Sequence, residues 1–268
     1  MKVVVCVKQT PSTTAVFSVD GSGNVSWEDP GGKPHVVNPW DEYAVEEAIR
    51  LQEEHGGDAI ALTLGDEESK EALKTCLAMG CTEAIVVSDE AFAGSDTRGT
   101  ARVLAAAIEK LEDVDVAFFG KQAIDGDTGL TPMQVAVTLG WTPLTFVSAI
   151  KEIDFDGGSI TVERLVQGGK QTATASLPVA ISVVKEINEP RYPSFMGIRK
   201  ANRATIPTWT AADLEVEEGV AGAFASKVEW SNIYEPPPRD TSVEIIEAET
   251  VEEQAKILAD RLFEEKVI

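Results

Sequence analysis

The chain is poor in the residues that build covalently or metal-held folds. It has three cysteines and two histidines among 268 residues. Cys6, Cys76 and Cys81 are odd in number and form no Cys-x-x-Cys pair. That argues against a disulfide framework or a zinc site and favours a reducing cytoplasm. With His35 and His55 as the only imidazoles, a transition-metal site is also weakly supported. No apolar run approaches the ~20 residues that span a bilayer, so no stable membrane insertion is expected. The first eight residues are too short for a secretory signal and carry no small-residue cleavage site, so they read as a first core strand. No Gly-Lys-Ser/Thr closes a Walker A loop, and no Gly-x-Gly-x-x-Gly follows the first strand. No serine sits in a nucleophile elbow, and two histidines leave no defensible triad. No catalytic residue is therefore assigned.

Positive charge is scarce as well. Lys and Arg total 23 against 45 Asp and Glu, a formal net charge of −22. A field of that sign repels nucleic acid and anionic membrane. It repels free nucleotides too, so any nucleotide site must rely on local donors. Part of the acid lies in residues 244–253. Such a surface serves solubility, or it complements a basic partner. Hydrophobic residues make up 43%, enough for a sizeable core. At roughly 150 residues per domain, the length allows one large domain with extensions.

What is present is a repeating order of elements. Apolar β-rich runs at residues 2–7, 58–64, 84–87 and 114–119 alternate with helical patterns opening at Asn38-Pro39, at 67–79, at 96–110, and in a fourth helix that follows the 120–134 loop and ends near Gly140. Asn38 suits an N-cap and Pro39 the first helical position, with Gly56-Gly57 ending that helix. Its apolar residues Tyr43, Ala44, Ala48 and Leu51 keep helical spacing, which puts Glu42, Glu46, Glu47 and Glu53 on the other faces. Residues 16–19 and 25–27 flank Asp20-Gly21-Ser22-Gly23-Asn24 and read as a hairpin. The alternation predicts an α/β fold: a mostly parallel, doubly wound, Rossmann-like sheet with helices on both faces. After Trp141, strands at 145–153, 159–166, 171–175 and 179–184 predict an antiparallel meander closing one side. Beyond Glu189 the pattern weakens. Pro236-Pro237-Pro238 must be extended, and residues 250–265 return to helix. The expected organisation is a nucleotide-binding domain over 1–190, then a docking loop, extended arm and C-terminal helix over 191–268.

In such sheets ligands sit outside the carboxyl ends of the strands. The loop after the fourth apolar run reads Gly120-Lys121-Gln122-Ala123-Ile124-Asp125-Gly126-Asp127-Thr128-Gly129-Leu130-Thr131-Pro132-Met133-Gln134. Its glycines at 120, 126 and 129 allow close backbone approach and positive φ. Amides of residues 128–131 stand at a helix entrance, which suits a phosphate, and Thr128 and Thr131 add hydroxyls. An ordinary capped helix accounts for the same residues. Asp125 and Asp127 would repel a phosphate; they can cap amides, accept from a ribose, or form an acid–base pair. Residues 37–40 and 92–97 follow strands of the same sheet and should join the site.

These segments resemble the beta subunit of electron transfer flavoproteins over nearly the whole chain. The resemblance rests on Val7-Lys8, Asn38-Pro39 with Ala44-Val45-Glu46-Glu47-Ala48, residues 72–80, Gly120-Lys121-Gln122-Ala123-Ile124-Asp125, and Asn188-Glu189-Pro190-Arg191-Tyr192-Pro193. The family's signature segment appears from Val162-Glu163-Arg164 to Pro178-Val179-Ala180-Ile181, departing from the pattern at Gln167 and Ala173. The resemblance implies a heterodimer in which a larger alpha subunit holds most of an FAD. It also implies electron transfer from acyl-CoA or other flavin dehydrogenases to a membrane or quinone-linked acceptor. By motif correspondence a second nucleotide lies against Cys6, Asn38, Pro39, Trp40, Asp41, Leu64 and residues 120–131. That nucleotide is AMP, or a second FAD that accepts hydride from NADH in members that bifurcate electrons. Gly126-Asp127-Thr128 and residues 92–97 look like the bifurcating type, whereas Leu130 and Pro132 fit neither pattern. Residues 191–203 resemble the family's dehydrogenase-docking loop, with Phe195 as its exposed anchor beside Met196. The alternative from another class is a free-standing adenine-nucleotide-binding protein of the stress type.

Overall fold

The computed structural model describes residues 1–29, 32, 35–237 and 243–268. It divides into two compact units, Met1–Asn232 and Ile233–Ile268. The first unit is built on a nine-stranded sheet in the order β11-β10-β9-β12-β8-β1-β6-β7-β13. Its parallel strands are β1 (Lys2–Cys6), β6 (Asp58–Leu64), β7 (Glu83–Val87), β8 (Val116–Gly120), β9 (Thr142–Asp154), β12 (Val179–Val183) and β13 (Thr208–Trp209). β10 (Ser159–Val166) and β11 (Gly169–Ser176) continue it antiparallel. β2 (Gln9–Pro11) pairs with β5 (His35–Val37), and β3 (Val16–Val19) with β4 (Val25–Glu28), as two small separate ribbons.

The sheet is covered on both faces, which explains its continuous apolar strands. Side chains alternate along β1 between two cores. Val3 and Val5 pack with Val45, Leu73 and Phe118 under α1 (Pro39–His55) and α2 (Lys70–Met79). Val4 and Cys6 pack with Leu62, Leu104 and Ala136 under α3 (Thr97–Lys110) and α4 (Thr131–Leu139).

Three expectations change. First, β12 is not the fourth strand of a meander. It leaves β11 and inserts between β9 and β8, parallel to both. Its five residues are all buried, a position only a central strand can hold. Second, the first unit runs past residue 190. Residues 191–232 supply α5 (Phe195–Ala201), β13, the short α6 (Gly222–Ala225) and the buried Ile206, Leu214 and Ala221. Third, the acidic residues of α1 do not all face solvent. Glu46 and Glu47 are buried because the 188–191 segment lies over them. Arg191 donates to Glu46 from Nε at 2.8 Å and Nη2 at 3.0 Å, and to Glu53 at 2.6 and 2.9 Å. Asn188 Nδ2 donates to Glu47 Oε2 and the Tyr43 carbonyl. Burial pushes the Glu47 carboxyl up, and hydrogen bonding to Arg191 pulls Glu53 down.

The second unit holds α7 (Val251–Glu264), capped by Thr250, whose hydroxyl accepts from the Glu253 amide. None of its residues is buried, and Val251, Leu258 and Phe263 are exposed. Pro236 and Pro237 lie in irregular, exposed chain, and Pro238 lies outside the described residues. Among the described residues no helix is long and apolar enough to cross a membrane.

Removing Arg191 would leave Glu46 buried with only the longer Arg50 contact at 3.7 Å. Arg191→Ala should lower the unfolding free energy by about 2–3 kcal/mol, less than the ~3–5 kcal/mol of a fully buried pair because Arg191 is partly exposed. Arg191→Lys, with charge but no fork, should recover only part of it. A urea midpoint unchanged in Arg191→Ala would contradict this account of the segment.

Candidate functional site

The sheet reverses its building direction between β1 and β8. From β1 the chain goes outward to β6 and β7 on one side, then returns to place β8 on the other. Loops leaving the carboxyl ends of β1 and β8 therefore diverge and open a crevice at that edge. Cys6 is in register with Leu62 of β6 and Phe119 of β8. Gly120 stands one residue past that level and Leu64 two, so Cys6, Leu64 and Gly120 share one edge.

The start of α1 joins this edge through side chains. Asp41, in the first helical turn, is buried. Its Oδ2 accepts from the Lys8 amide at 2.7 Å and its Oδ1 from the Gly120 amide at 3.1 Å. Burial pushes its carboxyl up to about 7, opposed by the Lys8 and Gly120 amides, the Asn38 side chain and the Lys8 charge. Gly120 is obligatory for this approach, because an added Cβ would overlap Asp41 Oδ1 and come within 2.6 Å of the Trp40 carbonyl carbon. Asn38 does not cap α1 with its side chain. It bridges the two loops instead: Nδ2 donates to the Gln122 carbonyl at 2.8 Å and Oδ1 accepts from the Ile124 amide at 3.2 Å.

The carboxylates of the 120–131 loop are engaged. Lys8 Nζ donates to Asp125 at 2.6 Å, and Gln122 Nε2 donates to Asp127 at 2.6 Å. The repulsion expected from two free carboxylates is thereby reduced. Asp127 and Gly129 take positive φ, at 50° and 60°, and turn the chain into α4. Gly126 does neither of the things expected of it: its φ is not positive, and an added Cβ would meet nothing. Lys121 Nζ lies 5.1 Å from the Trp40 ring centre, closing the mouth from the α1 side. At the entrance of α4 no side chain caps the helix, and among the described residues the amides of 128–131 meet no protein acceptor. Leu130 is half exposed there, and Gln134 Oε1 is buried without a partner. A cleft of about 450 Å³ adjoins the loop, lined by Lys8, Trp27, His35, Leu64, Ser69 and Asp125.

The 92–97 loop reaches the same edge but is spoken for. Ser95 Oγ accepts from the Gly222 amide at 2.7 Å and donates to the Phe92 carbonyl. Asp96 accepts from the Gly99 and Lys227 amides. Cys6, Cys76 and Cys81 are free and buried, and burial raises all three thiols, which leaves them unreactive. The partnership of Lys8 with Asp125 was not foreseen, and no spacing rule pairs residues 117 apart.

A separate surface is formed by α5. Ser194 caps it, accepting from the Gly197 amide. Phe195 is 75% exposed and Met196 70%, with Tyr192 also exposed beside them. Phe195 is not packed internally.

Residues 30–214 match the electron transfer flavoprotein domain. The chain is 36% identical to the caffeyl-CoA reductase-Etf complex subunit CarD of Acetobacterium woodii, covering all of both chains. It is 34% identical to the electron transfer flavoprotein subunit beta of Clostridium acetobutylicum, again over all of both. It is 37% identical to protein FixA of Azotobacter vinelandii, over 92% of this chain and 89% of that one.

Asn38→Ala would remove both bonds that tie the two loops together. It should cost about 1–3 kcal/mol of stability in urea unfolding and speed proteolysis within 121–128. Equal cleavage rates in variant and wild type would show that Asn38 does not hold the loop.

Proposed function

The chain belongs to the electron transfer flavoprotein family and serves electron transfer, and from that premise we propose that it is the nucleotide-holding beta subunit of a heterodimeric carrier. Its partner is a larger alpha subunit that holds most of an FAD. The beta site holds a second nucleotide, AMP or FAD, against residues 38–41, Cys6, Leu64 and 120–131. One observation carries this reading: the convergence of 38–41 and 120–131 at the reversal of the sheet, with the amides of 128–131 unspent. The residues fit a phosphate-bearing ligand. The α4 entrance offers donors, and Lys121 supplies a local cation in a chain of net charge −22. When bound, a flavin supplies the ability to take and give electrons. This chain's residues bind and orient the nucleotide and shield it from the acidic surface.

The arm supports a partner subunit. Phe224, Trp230, Tyr234, Val243 and Ile245 are all exposed, as are Val251, Ile257, Leu258 and Phe263 of α7. A free-standing stress-type protein has no use for so much uncovered apolar surface. Electrons would come from a flavin dehydrogenase of the acyl-CoA type, docking at Phe195 and Met196, and pass to a membrane or quinone-linked acceptor. The relative's name, which ties it to a caffeyl-CoA reductase complex, favours a CoA-thioester dehydrogenase as partner and keeps the bifurcating variant, with NADH as donor, as the second reading. Buried thiols suit the reducing cytoplasm.

Denaturing the purified complex and identifying the released nucleotides tests the site. The expected result is FAD with either AMP or a second FAD per heterodimer. A chain that is stable alone, holds no flavin and hydrolyses ATP would contradict it. Phe195→Ala should leave the fold and nucleotide content intact and slow electron transfer from the dehydrogenase by roughly tenfold, the loss of one interface anchor. Unchanged transfer kinetics would remove the docking role.

A further inference from the structure

The Asp41 carboxylate is committed to the backbone. Both of its oxygens face amide donors of the protein, one at the end of β1 and one at the end of β8. It is buried, and each oxygen already accepts from an amide. The neighbouring Asn38 holds the 120–131 loop with its side chain, at the Gln122 carbonyl and the Ile124 amide, and its own amide donates to the Lys8 carbonyl, so Asn38 and Asp41 together set the mouth of the crevice. Gly120 is in contact with Asp41 and Trp40 on the side where a Cβ would lie.

We propose that the Asp41 side chain positions the nucleotide site: its carboxylate does not serve as a ligand contact but sets where the 120–131 loop leaves the sheet by holding the Lys8 and Gly120 amides. The inference rests on the nucleotide reading for its ligand. A consequence concerns protons. An ionised carboxylate accepts from both amides at once. A protonated one has lost its charge and is a poorer acceptor at its hydroxyl oxygen, so the bond to one of the two amides is weakened. Burial holds the group near 7, so this change falls within the physiological range. The groups that bear on Asp41 are the Lys8 ammonium, which favours the charged form, and the Asn38 side chain. The Cys6 and Cys76 thiols also feel it, and burial keeps both neutral. Acidification through about pH 7 should therefore loosen the loop and quicken nucleotide release. By linkage, a bound nucleotide should favour the ionised carboxylate.

The test uses the full-length protein purified with its larger subunit and loaded with labelled AMP, or with FAD if that is what the wild type releases. Release is timed between pH 8.5 and pH 6. The wild type should release nucleotide ~10-fold faster at the acid end, the effect of one charge-assisted hydrogen bond. Asp41→Asn presents an amide N–H to one of the two donors, so it should release fast at every pH, with a flat profile. A bound AMP phosphate takes its own second proton near pH 6, which Asp41→Asn leaves in place; the variant's profile therefore decides. A wild-type profile in Asp41→Asn, or slow release from it, overturns the positioning role while leaving the nucleotide site standing. A wild type that retains neither AMP nor FAD sinks the nucleotide reading, and the positioning role falls with it. Should Asp41→Asn fail to fold, Gly120→Ala decides. It keeps the carboxylate but crowds it, and must quicken release; unchanged release overturns the proposal.

Discussion

A carboxylate taken out of water sits at the centre of this fold's working edge. Asp41 accepts from the Lys8 amide and the Gly120 amide, and these two amides end the adjacent strands β1 and β8. Burying a carboxylate is costly unless every oxygen is satisfied. Here two backbone donors and the nearby Lys8 charge offset that cost, though incompletely, since burial still raises the group to about 7. A buried charge is poor evidence for stability and better evidence for geometric constraint. In this chain the constraint is the distance between two loops that leave the sheet in opposite directions. Everything built on those loops depends on it: the Asn38 bridge, the Lys8–Asp125 pair and the turn into α4.

The architecture was legible where it depends on local periodicity. Continuous apolar runs such as Val3-Val4-Val5 mark strands covered on both faces. Legibility failed where long-range pairing decides. β12 follows β11 closely, so adjacency suggested a hairpin, but its buried face belonged between β8 and β9. Glu46 and Glu47 looked like solvent-facing residues of an amphipathic helix. They are buried because Arg191 and Asn188, some 140 residues away, bring their partners to them. Asn38 read as a cap because its type and position suit one, and nothing local could show that its amide group is used by the next loop. Within the 120–131 loop the glycine pattern was correct at 120 and 129 and wrong at 126, where the left-handed turn falls on Asp127. The side chains of the site were named from the family's motifs; their partners became visible only in three dimensions.

The charge balance also acquires a structural sense. A chain of net −22 must gather cations wherever it is to meet a phosphate. It does so with Lys8 paired to Asp125 and Lys121 over Trp40. Phe224 and Trp230 in the first unit, and Tyr234, Val251 and Phe263 in the second, are exposed. Uncovered apolar surface on that scale belongs to an interface.

The central claim is that the edge formed by residues 38–41 and 120–131 holds a nucleotide. Hydrogen exchange compared between nucleotide-replete and nucleotide-stripped complex measures it directly. The account predicts slower exchange in the replete form at 38–41 and 120–131, strongest at the amides of 128–131. Protection confined to the opposite edge of the sheet, around the cleft lined by Glu112, Val114, Trp141 and Pro178, would contradict it.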